Sequence, residues 1–200
     1  MFPAFRDRSC WIFDMDGTLT VGIHDFDAIR RELGLPANEP ILEALAQLSA
    51  AEAVPLRRRL ADIETELAHR SQAQPGIHPL LSKLRSQGKR LGVLTRNGKQ
   101  MAHTTLAACG LNDFFAPENV LSRDCCAHKP SPDGILKLLD RWQAAPTEAV
   151  MVGDYKFDLM AGRNAGTATA YFDSTGEFPW REYADVWVRD LGALVDWVGE

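Results

Sequence analysis

Short apolar runs alternate with helical patterns along most of the chain. Apolar runs predict six β-strands, at residues 10–13, 91–95, 120–121, 149–153, 167–172 and 185–188. Apolar residues at helical spacing predict helices over 77–87, 99–108, 132–142, 157–164 and 191–198. Strands that alternate with helices in this way favour a parallel sheet with helices on both faces, and therefore an α/β fold.

One segment breaks this alternation. Three helical patterns follow one another over residues 26–33, 41–48 and 52–70, with no apolar strand between them. Gln74-Pro75-Gly76 then marks the return to the alternating pattern, because Pro-Gly is a strong turn signal. We therefore predict an α/β core made of residues 1–22 and 75–200, and a small all-helical domain at 23–74 inserted after the first strand.

Composition and charge are those of a globular protein. Hydrophobic residues make up 46% of the chain and charged residues 24%, which is enough apolar material for a core. The net charge of −5 argues against a nucleic-acid partner. We find no signal-peptide pattern and no apolar run that could span a membrane, so we expect a cytoplasmic protein without a membrane partner. The four cysteines lack C-x-x-C spacing and are expected to be reduced thiols.

Two aspartates one residue apart, Asp14 and Asp16, come directly after the first predicted strand. Like charges held this close repel each other unless a cation lies between them. Gly17 and Thr18 follow, and an ordinary Asp-Gly turn is the alternative interpretation of the segment. The ends of the other strands are needed to decide between the two.

Polar side chains also follow later strands. Thr95 ends the second strand, and Asp154, with Asp158 four residues on, follows the strand at 149–153; Lys129 lies between them in the chain. Each could be a helix cap or a surface charge on its own. The carboxyl ends of parallel strands meet at one edge of a sheet, however, and there carboxylates suit Mg²⁺ while threonine and lysine suit phosphate. The set favours phosphoryl transfer.

At these residues the chain resembles the haloacid dehalogenase (HAD) superfamily. Four segments are similar to its motifs. The segment Asp14-Met15-Asp16-Gly17-Thr18-Leu19-Thr20 is similar to the first motif, D-x-D-G-T-[LV]-[TV], and Leu94-Thr95 is similar to the second, an apolar strand that ends in serine or threonine. Lys129-Pro130 is similar to the third motif, and the segment from Gly153-Asp154 to Asp158 is similar to the fourth, G-D-x-x-x-D. The resemblance spans residues 10 to 198 and is to the subfamily IA, phosphoglycolate phosphatase-like members. It implies a Rossmannoid three-layer α/β/α core and a small helical C1-type cap.

The resemblance also implies a role for each residue. Asp14 would be the nucleophile and a Mg²⁺ ligand, and Asp16 would protonate the leaving oxygen and then activate water, with its backbone carbonyl on the metal. Asp154 would complete the metal site. Thr95 and Lys129 would hold the phosphoryl group. Further substrate contacts would come from Arg96 and Asn97, and supporting roles from Gly17, Thr18, Gly153 and Asp158, with Asp158 orienting Lys129 or a metal-bound water.

Two reactions of the superfamily are disfavoured by particular residues. Dehalogenases lack the second motif-one carboxylate, which is present here as Asp16. Phosphonatases need a cap lysine that forms an imine, and the chain has no lysine between Val21 and Gln74; arginine stays protonated and cannot replace it.

Phosphate ester hydrolysis and phosphosugar mutation remain. A small cap favours hydrolysis, because a mutase must keep water from its intermediate. We therefore expect a Mg²⁺-dependent phosphatase that acts on a small phosphorylated metabolite, as a monomer or homodimer. A phosphosugar mutase and a catalytically silent HAD-like binding module are the alternatives. The roles of His24 and of Arg57, Arg58 and Arg59 stay open, although a run of three arginines is typical of a solvated helix face.

Overall fold

A six-stranded parallel sheet forms the centre of the molecule. The structure, a computed structural model, describes residues 5, 7–23 and 25–198. The strand order across the sheet is β3-β2-β1-β4-β5-β6, and every neighbouring pair is parallel. The strands are β1 (Cys10–Phe13), β2 (Arg90–Leu94), β3 (Val120–Leu121), β4 (Ala149–Gly153), β5 (Ala168–Phe172) and β6 (Val186–Val188).

Helices cover both faces of this sheet. Five of them follow the inserted segment: α4 (Ile77–Ser86), α5 (Lys99–Ala108), α6 (Asp133–Trp142), α7 (Lys156–Ala165) and α8 (Ala193–Val198). Alternate residues of β1 enter two separate apolar clusters: Trp11 and Phe13 pack with α4, α5 and α8, whereas Cys10 and Ile12 pack with α6 and α7. This period of two is what a strand buried on both sides requires. The predicted three-layer α/β/α fold is confirmed.

Three consecutive helices form the segment between β1 and α4, as the sequence predicts. They are α1 (Phe26–Glu32), α2 (Ile41–Gln47) and α3 (Ala50–Arg70). They share a third apolar cluster made of Ile29, Leu33, Ile41, Leu45, Leu60 and Ile63. The division of the chain into a core at 1–22 and 75–200 and a cap at 23–74 stays a prediction.

The largest differences from the predicted bounds are at the beginnings of α3 and α8. Helix α3 begins two residues earlier than its apolar pattern because Ser49 and Glu52 form a capping box, in which each side chain bonds to the backbone of the other. The chain enters and leaves the three-helix segment side by side: Val21 N donates to Gln72 O, and Gln74 N donates to Leu19 O, both at 2.9 Å. In the described ranges no helix combines the length and apolar character needed to cross a bilayer.

Candidate active site

The predicted site residues lie where the sheet reverses its winding direction. From β1 the chain builds outward through β2 and β3, and then returns to the other side of β1 to build β4, β5 and β6. The crevice between β1 and β4 is therefore the topological switch point, where ligands bind in open parallel sheets. Asp14 follows β1 and Asp154 follows β4, and the backbone N–H of Asp14 donates to Val152 O at 2.9 Å.

Lys129 is buried at the centre of this crevice, with 3% of its surface exposed. Its ammonium group contacts the carboxylate of Asp14 and lies 2.6 Å from Oδ1 of Asp158. Burial alone would lower the pKa of Lys129, but the charges of Asp14 and Asp158 outweigh it and raise that pKa above its usual value. The lysine is therefore a fixed positive charge beside Asp14 at neutral pH.

Three carboxylates meet beside this lysine. One oxygen each from Asp14, Asp154 and Asp158 lie within 4.8 Å of one another. Burial, and then repulsion from Asp14, raise the pKa of Asp158 to about 6 and the pKa of Asp154 well above its ordinary value. A divalent cation would relieve this repulsion, and carboxylate oxygens are the hard ligands that Mg²⁺ prefers. The donor set therefore fits a magnesium ion.

Two glycines allow these carboxylates to approach the backbone. Gly17 has φ +86°, and a Cβ atom there would lie 2.3 Å from Oδ2 of Asp154. At Gly153 a Cβ atom would lie 2.2 Å from Cβ of Asp158. Any side chain at either position would displace a carboxylate, which is the physical reason for glycine there. Thr18 Oγ1 also donates to Oδ1 of Asp154, at 3.0 Å, so that Gly17, Thr18 and Gly153 all surround the carboxylate cluster.

Asp16 lies outside the three-carboxylate cluster. Its Oδ2 atom accepts a hydrogen bond from Nδ2 of Asn97 at 2.7 Å. The backbone N–H of Asn97 in turn donates to Oγ1 of the buried Thr95, at 3.1 Å. The loop after β2 thus brings Thr95 and Asn97 to the same crevice, and Asn97 orients the Asp16 side chain.

Arg96 is held by a glutamate of the three-helix segment. Its Nη2 atom lies 2.7 and 2.6 Å from the two carboxylate oxygens of Glu43 on α2. Its predicted contact with substrate stays a prediction. Among the described residues, the observed contact is one of two ion pairs that join the three-helix segment to the loops after the strands.

The second ion pair connects Arg123, in the loop after β3, with Glu64 on α3. Nη1 of Arg123 lies 2.6 Å from Oε1 of Glu64 and Nη2 lies 2.8 Å from Oε2, which is a bidentate geometry. Burial lowers the pKa of Arg123, but the bonds to Glu64 raise it further, and the net shift is upward. The sequence alone does not reveal this pair, since the partners are 59 positions apart and no local pattern connects them.

A cavity of about 670 Å³ lies between the three-helix segment and the carboxyl end of the sheet. Asp14, Asp16, Thr95, Lys129 and Asp154 line it from the sheet, and side chains of α1, α2 and α3 line it from the other side.

The open positions of the sequence analysis fall elsewhere. His24 lies outside the described residues. Arg57, Arg58 and Arg59 are exposed and do not line the cavity; Arg59 pairs with Glu32 of α1 at 2.5 Å. A solvated helix face explains the arginine run.

Comparison with known proteins decides the family. The model of the haloacid dehalogenase-like hydrolases matches residues 11–172. The chain belongs to this family. Its members are hydrolases, and the HAD membership predicted from the four motifs is confirmed.

Relatives of this HAD-like hydrolase match most of its length. A haloacid dehalogenase-like hydrolase domain-containing protein of Arabidopsis thaliana is 32% identical over 182 residues, which cover 84% of this chain and 71% of the relative. The pyrophosphatase PpaX of Bacillus cereus is 30% identical over 178 residues, 80% of each chain.

Solved structures share the fold at lower identity. A hydrolase from Pseudomonas syringae has a TM-score of 0.77 and 23% identity, covering 94% of this chain and 96% of that one. A structure from Haemophilus somnus, called a "predicted phosphoglycolate phosphatase", has a TM-score of 0.77 and 20% identity, covering 96% and 99%. These structures confirm the α/β fold of the family.

Proposed function

We propose that this HAD-like hydrolase is a Mg²⁺-dependent phosphatase that removes phosphate from a small phosphorylated metabolite through an aspartyl-phosphate intermediate. The observation that carries the proposal is the surroundings of Asp14. Its carboxylate contacts the charged Lys129 and lies beside oxygens of Asp154 and Asp158. A carboxylate that attacks an anionic phosphate needs positive charge at this place to offset the repulsion.

A magnesium ion would be held by Asp14 and Asp154 together with the backbone carbonyl of Asp16. Asp158, whose Oδ1 lies 2.6 Å from the Lys129 ammonium, would orient that lysine. When bound, the ion would supply positive charge against Asp14 and the phosphate oxygens. Residues 23–74 would act as a cap over the cavity that contains these groups.

The first step would form a bond between a carboxylate oxygen of Asp14 and phosphorus while the ester bond breaks. Asp16 would give its proton to the leaving oxygen, and the hydrogen bond from Asn97 would keep the Asp16 carboxyl in place. Thr95 and Lys129 would bind the phosphoryl oxygens during the transfer.

The second step would hydrolyse the aspartyl phosphate. Asp16, now a carboxylate, would take a proton from water as the water oxygen bonds to phosphorus. The bond between phosphorus and Asp14 breaks, which releases inorganic phosphate and restores both aspartates. Arg96 and Asn97 would make further contacts with the substrate. The pyrophosphatase name of the PpaX relative supports hydrolysis of a phosphorus–oxygen bond.

The proposal is tested by phosphate release from p-nitrophenyl phosphate. We expect release with Mg²⁺, none with EDTA, and none from the Asp14→Asn variant. Asp140→Asn, a matched change of an exposed aspartate on α6, controls for the loss of a negative charge. Metal-independent release that survives Asp14→Asn would overturn the mechanism, and isomerisation of a sugar phosphate without phosphate release would favour the mutase.

The covalent intermediate has its own test. The Asp16→Asn variant should still be phosphorylated by p-nitrophenyl phosphate, because p-nitrophenol is a good leaving group that needs little protonation. The aspartyl phosphate should then hydrolyse slowly, since the base that activates water is absent. Mass spectrometry of the acid-quenched variant should find one added phosphoryl group on Asp14.

A further inference from the structure

Most basic side chains that line the cavity are already paired with a carboxylate. Five of the described lysines and arginines line the cavity, from both of its walls: Arg30, Arg96, Arg123, Lys129 and Lys156. Four have a carboxylate oxygen within 2.6 Å: Arg30 has Asp27, Arg96 has Glu43, Arg123 has Glu64, and Lys129 has Asp14 and Asp158. Each of these four cations therefore already faces a carboxylate before any substrate enters, and Lys129 is committed to the reacting centre beside Asp14.

Lys156 differs from the other four. In the part of the chain that the structure describes, its ammonium group has no carboxylate within ion-pair distance. Asp158, two residues further along the chain, is paired with Lys129 instead. Lys156 therefore brings to the cavity wall a positive charge that is in no ion pair with the described acidic side chains.

Three aromatic rings surround this ammonium group. Its Nζ atom lies 5.1 Å from the ring centroid of Trp180, 5.4 Å from that of Phe157 and 5.8 Å from that of Tyr155. Tyr155 also contacts the other two rings edge-on, with centroids 5.2 and 5.7 Å apart. Aromatic faces attract a cation through their quadrupole but carry no net charge, so they position Lys156 and leave its charge available.

We infer that Lys156 binds a second anionic group of the substrate, so that this enzyme prefers phosphorylated compounds that carry a carboxylate or another phosphate. The inference rests on the proposed function, since the reacting phosphate is taken to lie at Asp14 in the same cavity. A lysine that is already positioned loses less side-chain entropy on binding, which favours such a role.

The test compares substrates with and without a second anionic group. Phosphoglycolate supplies a carboxylate, inorganic pyrophosphate supplies a second phosphate, and ethyl phosphate supplies neither. In Lys156→Met, which keeps the length of the side chain and its contact with the rings, we expect kcat/KM for the first two to fall about tenfold or more relative to ethyl phosphate. The loss should be in KM, with kcat for phosphoglycolate within about threefold of the original value. Lys156→Arg should restore most of the preference.

Lys137→Met is the matched control, because Lys137 is an exposed lysine of α6 that does not line the cavity. It should not change the substrate ratio. If kcat/KM relative to ethyl phosphate falls for pyrophosphate alone, the second anionic group is a phosphate. If it falls for phosphoglycolate alone, that group is a carboxylate. An unchanged ratio in Lys156→Met, or an equal loss with all three compounds, would overturn the inference.

Binding gives a readout that does not need turnover. In the Asp14→Asn background with Mg²⁺, calorimetry should show that Lys156→Met weakens phosphoglycolate about tenfold more than ethyl phosphate. Equal weakening would again overturn the inference. The proposed function fails separately, if the unmodified enzyme releases no phosphate from p-nitrophenyl phosphate or from any of the three compounds.

Discussion

The ion pair between Arg123 and Glu64 offers a direct measure of how firmly α3 is attached to the sheet. Arg123 lies in the loop after β3, and its two guanidinium nitrogens bind the two carboxylate oxygens of Glu64 at 2.6 and 2.8 Å. The perturbation is Glu64→Gln, which keeps the size of the side chain and one acceptor oxygen but removes the negative charge. Arg123 is then left charged with only 20% of its side chain exposed.

The expected cost follows from the exposure of the two side chains. Arg123 is 20% exposed and Glu64 is 10% exposed. Breaking a fully buried pair costs about 3–5 kcal/mol, whereas a solvent-exposed pair contributes about 0–1 kcal/mol. This pair lies nearer the buried limit, and the glutamine retains one hydrogen bond, so we expect a loss of about 2–3 kcal/mol in the free energy of unfolding.

Urea unfolding followed by tryptophan fluorescence and far-UV circular dichroism measures this loss. With a urea m-value of about 2–3 kcal/mol/M, the midpoint should fall by about 1 M. Hydrogen exchange should also accelerate along α3 before it does so in the sheet, because this helix carries the broken contact.

The exposed pair between Arg59 and Glu32 provides the control. Its side chains are 48% and 46% exposed, so Glu32→Gln should lower the free energy of unfolding much less than Glu64→Gln does. The double variant Glu64→Gln/Arg123→Met should be more stable than Glu64→Gln alone, because it leaves no uncompensated charge. A loss at Glu64 no larger than the loss at Glu32 would refute the reasoning.

Three further predictions concern the crevice and the thiols. Gly17→Ala should lower Tm by about 4–8 °C, because the new Cβ atom meets the Asp154 carboxylate and φ is +86°; thermal unfolding measures it. Lys129→Met should lower kcat for p-nitrophenyl phosphate at least about 100-fold, because the fixed charge at the nucleophile is lost. Burial raises the pKa of Cys126 to about 11, so that about one Cys126 thiol in a thousand is ionised at pH 8. Iodoacetamide should therefore label the exposed Cys125 before Cys126, and mass spectrometry measures the order of labelling.

Each of these has a control and a contrary outcome. At Gly22 a Cβ atom would meet nothing closer than 3.7 Å, so that Gly22→Ala should leave Tm nearly unchanged; an equal loss at both glycines would contradict the steric explanation. Substantial turnover by Lys129→Met would show that this charge is dispensable. In urea-denatured protein Cys125 and Cys126 should be labelled equally, and earlier labelling of Cys126 in the folded protein would be evidence against its burial.

The elements and the centre of the site could be predicted from the sequence because both are encoded locally. Period-two and helical patterns give the strands and helices, and a parallel sheet brings the residues after its strands to one edge. Asp14 and Asp154 follow adjacent strands, so their meeting is a consequence of topology. The bounds of α3 depended on a side-chain cap at Ser49, which the apolar pattern does not contain.

Contacts between the three-helix segment and the sheet could not be predicted in the same way. The partners of Arg96 and Arg123 are 53 and 59 positions away, and nothing within one turn of a helix or one strand specifies them. From its sequence position beside Thr95, Arg96 is an obvious candidate for phosphate. Only the placement of α2 shows that Nη2 of Arg96 binds Glu43.

Lys156 could not be singled out from the sequence for the same reason, since its role depends on contacts between residues that are far apart in the chain. It is one of 22 lysines and arginines, and it lies between Asp154 and Asp158, the two aspartates that define the motif. Lys156 is distinguished from the other cations of the cavity by their pairing, since two of those cations bind glutamates of α2 and α3. The three-helix segment therefore does more than line the cavity, because its glutamates pair with Arg96 and Arg123. Lys156 is then the cation best able to distinguish a substrate that has a second anionic group from a substrate that has none.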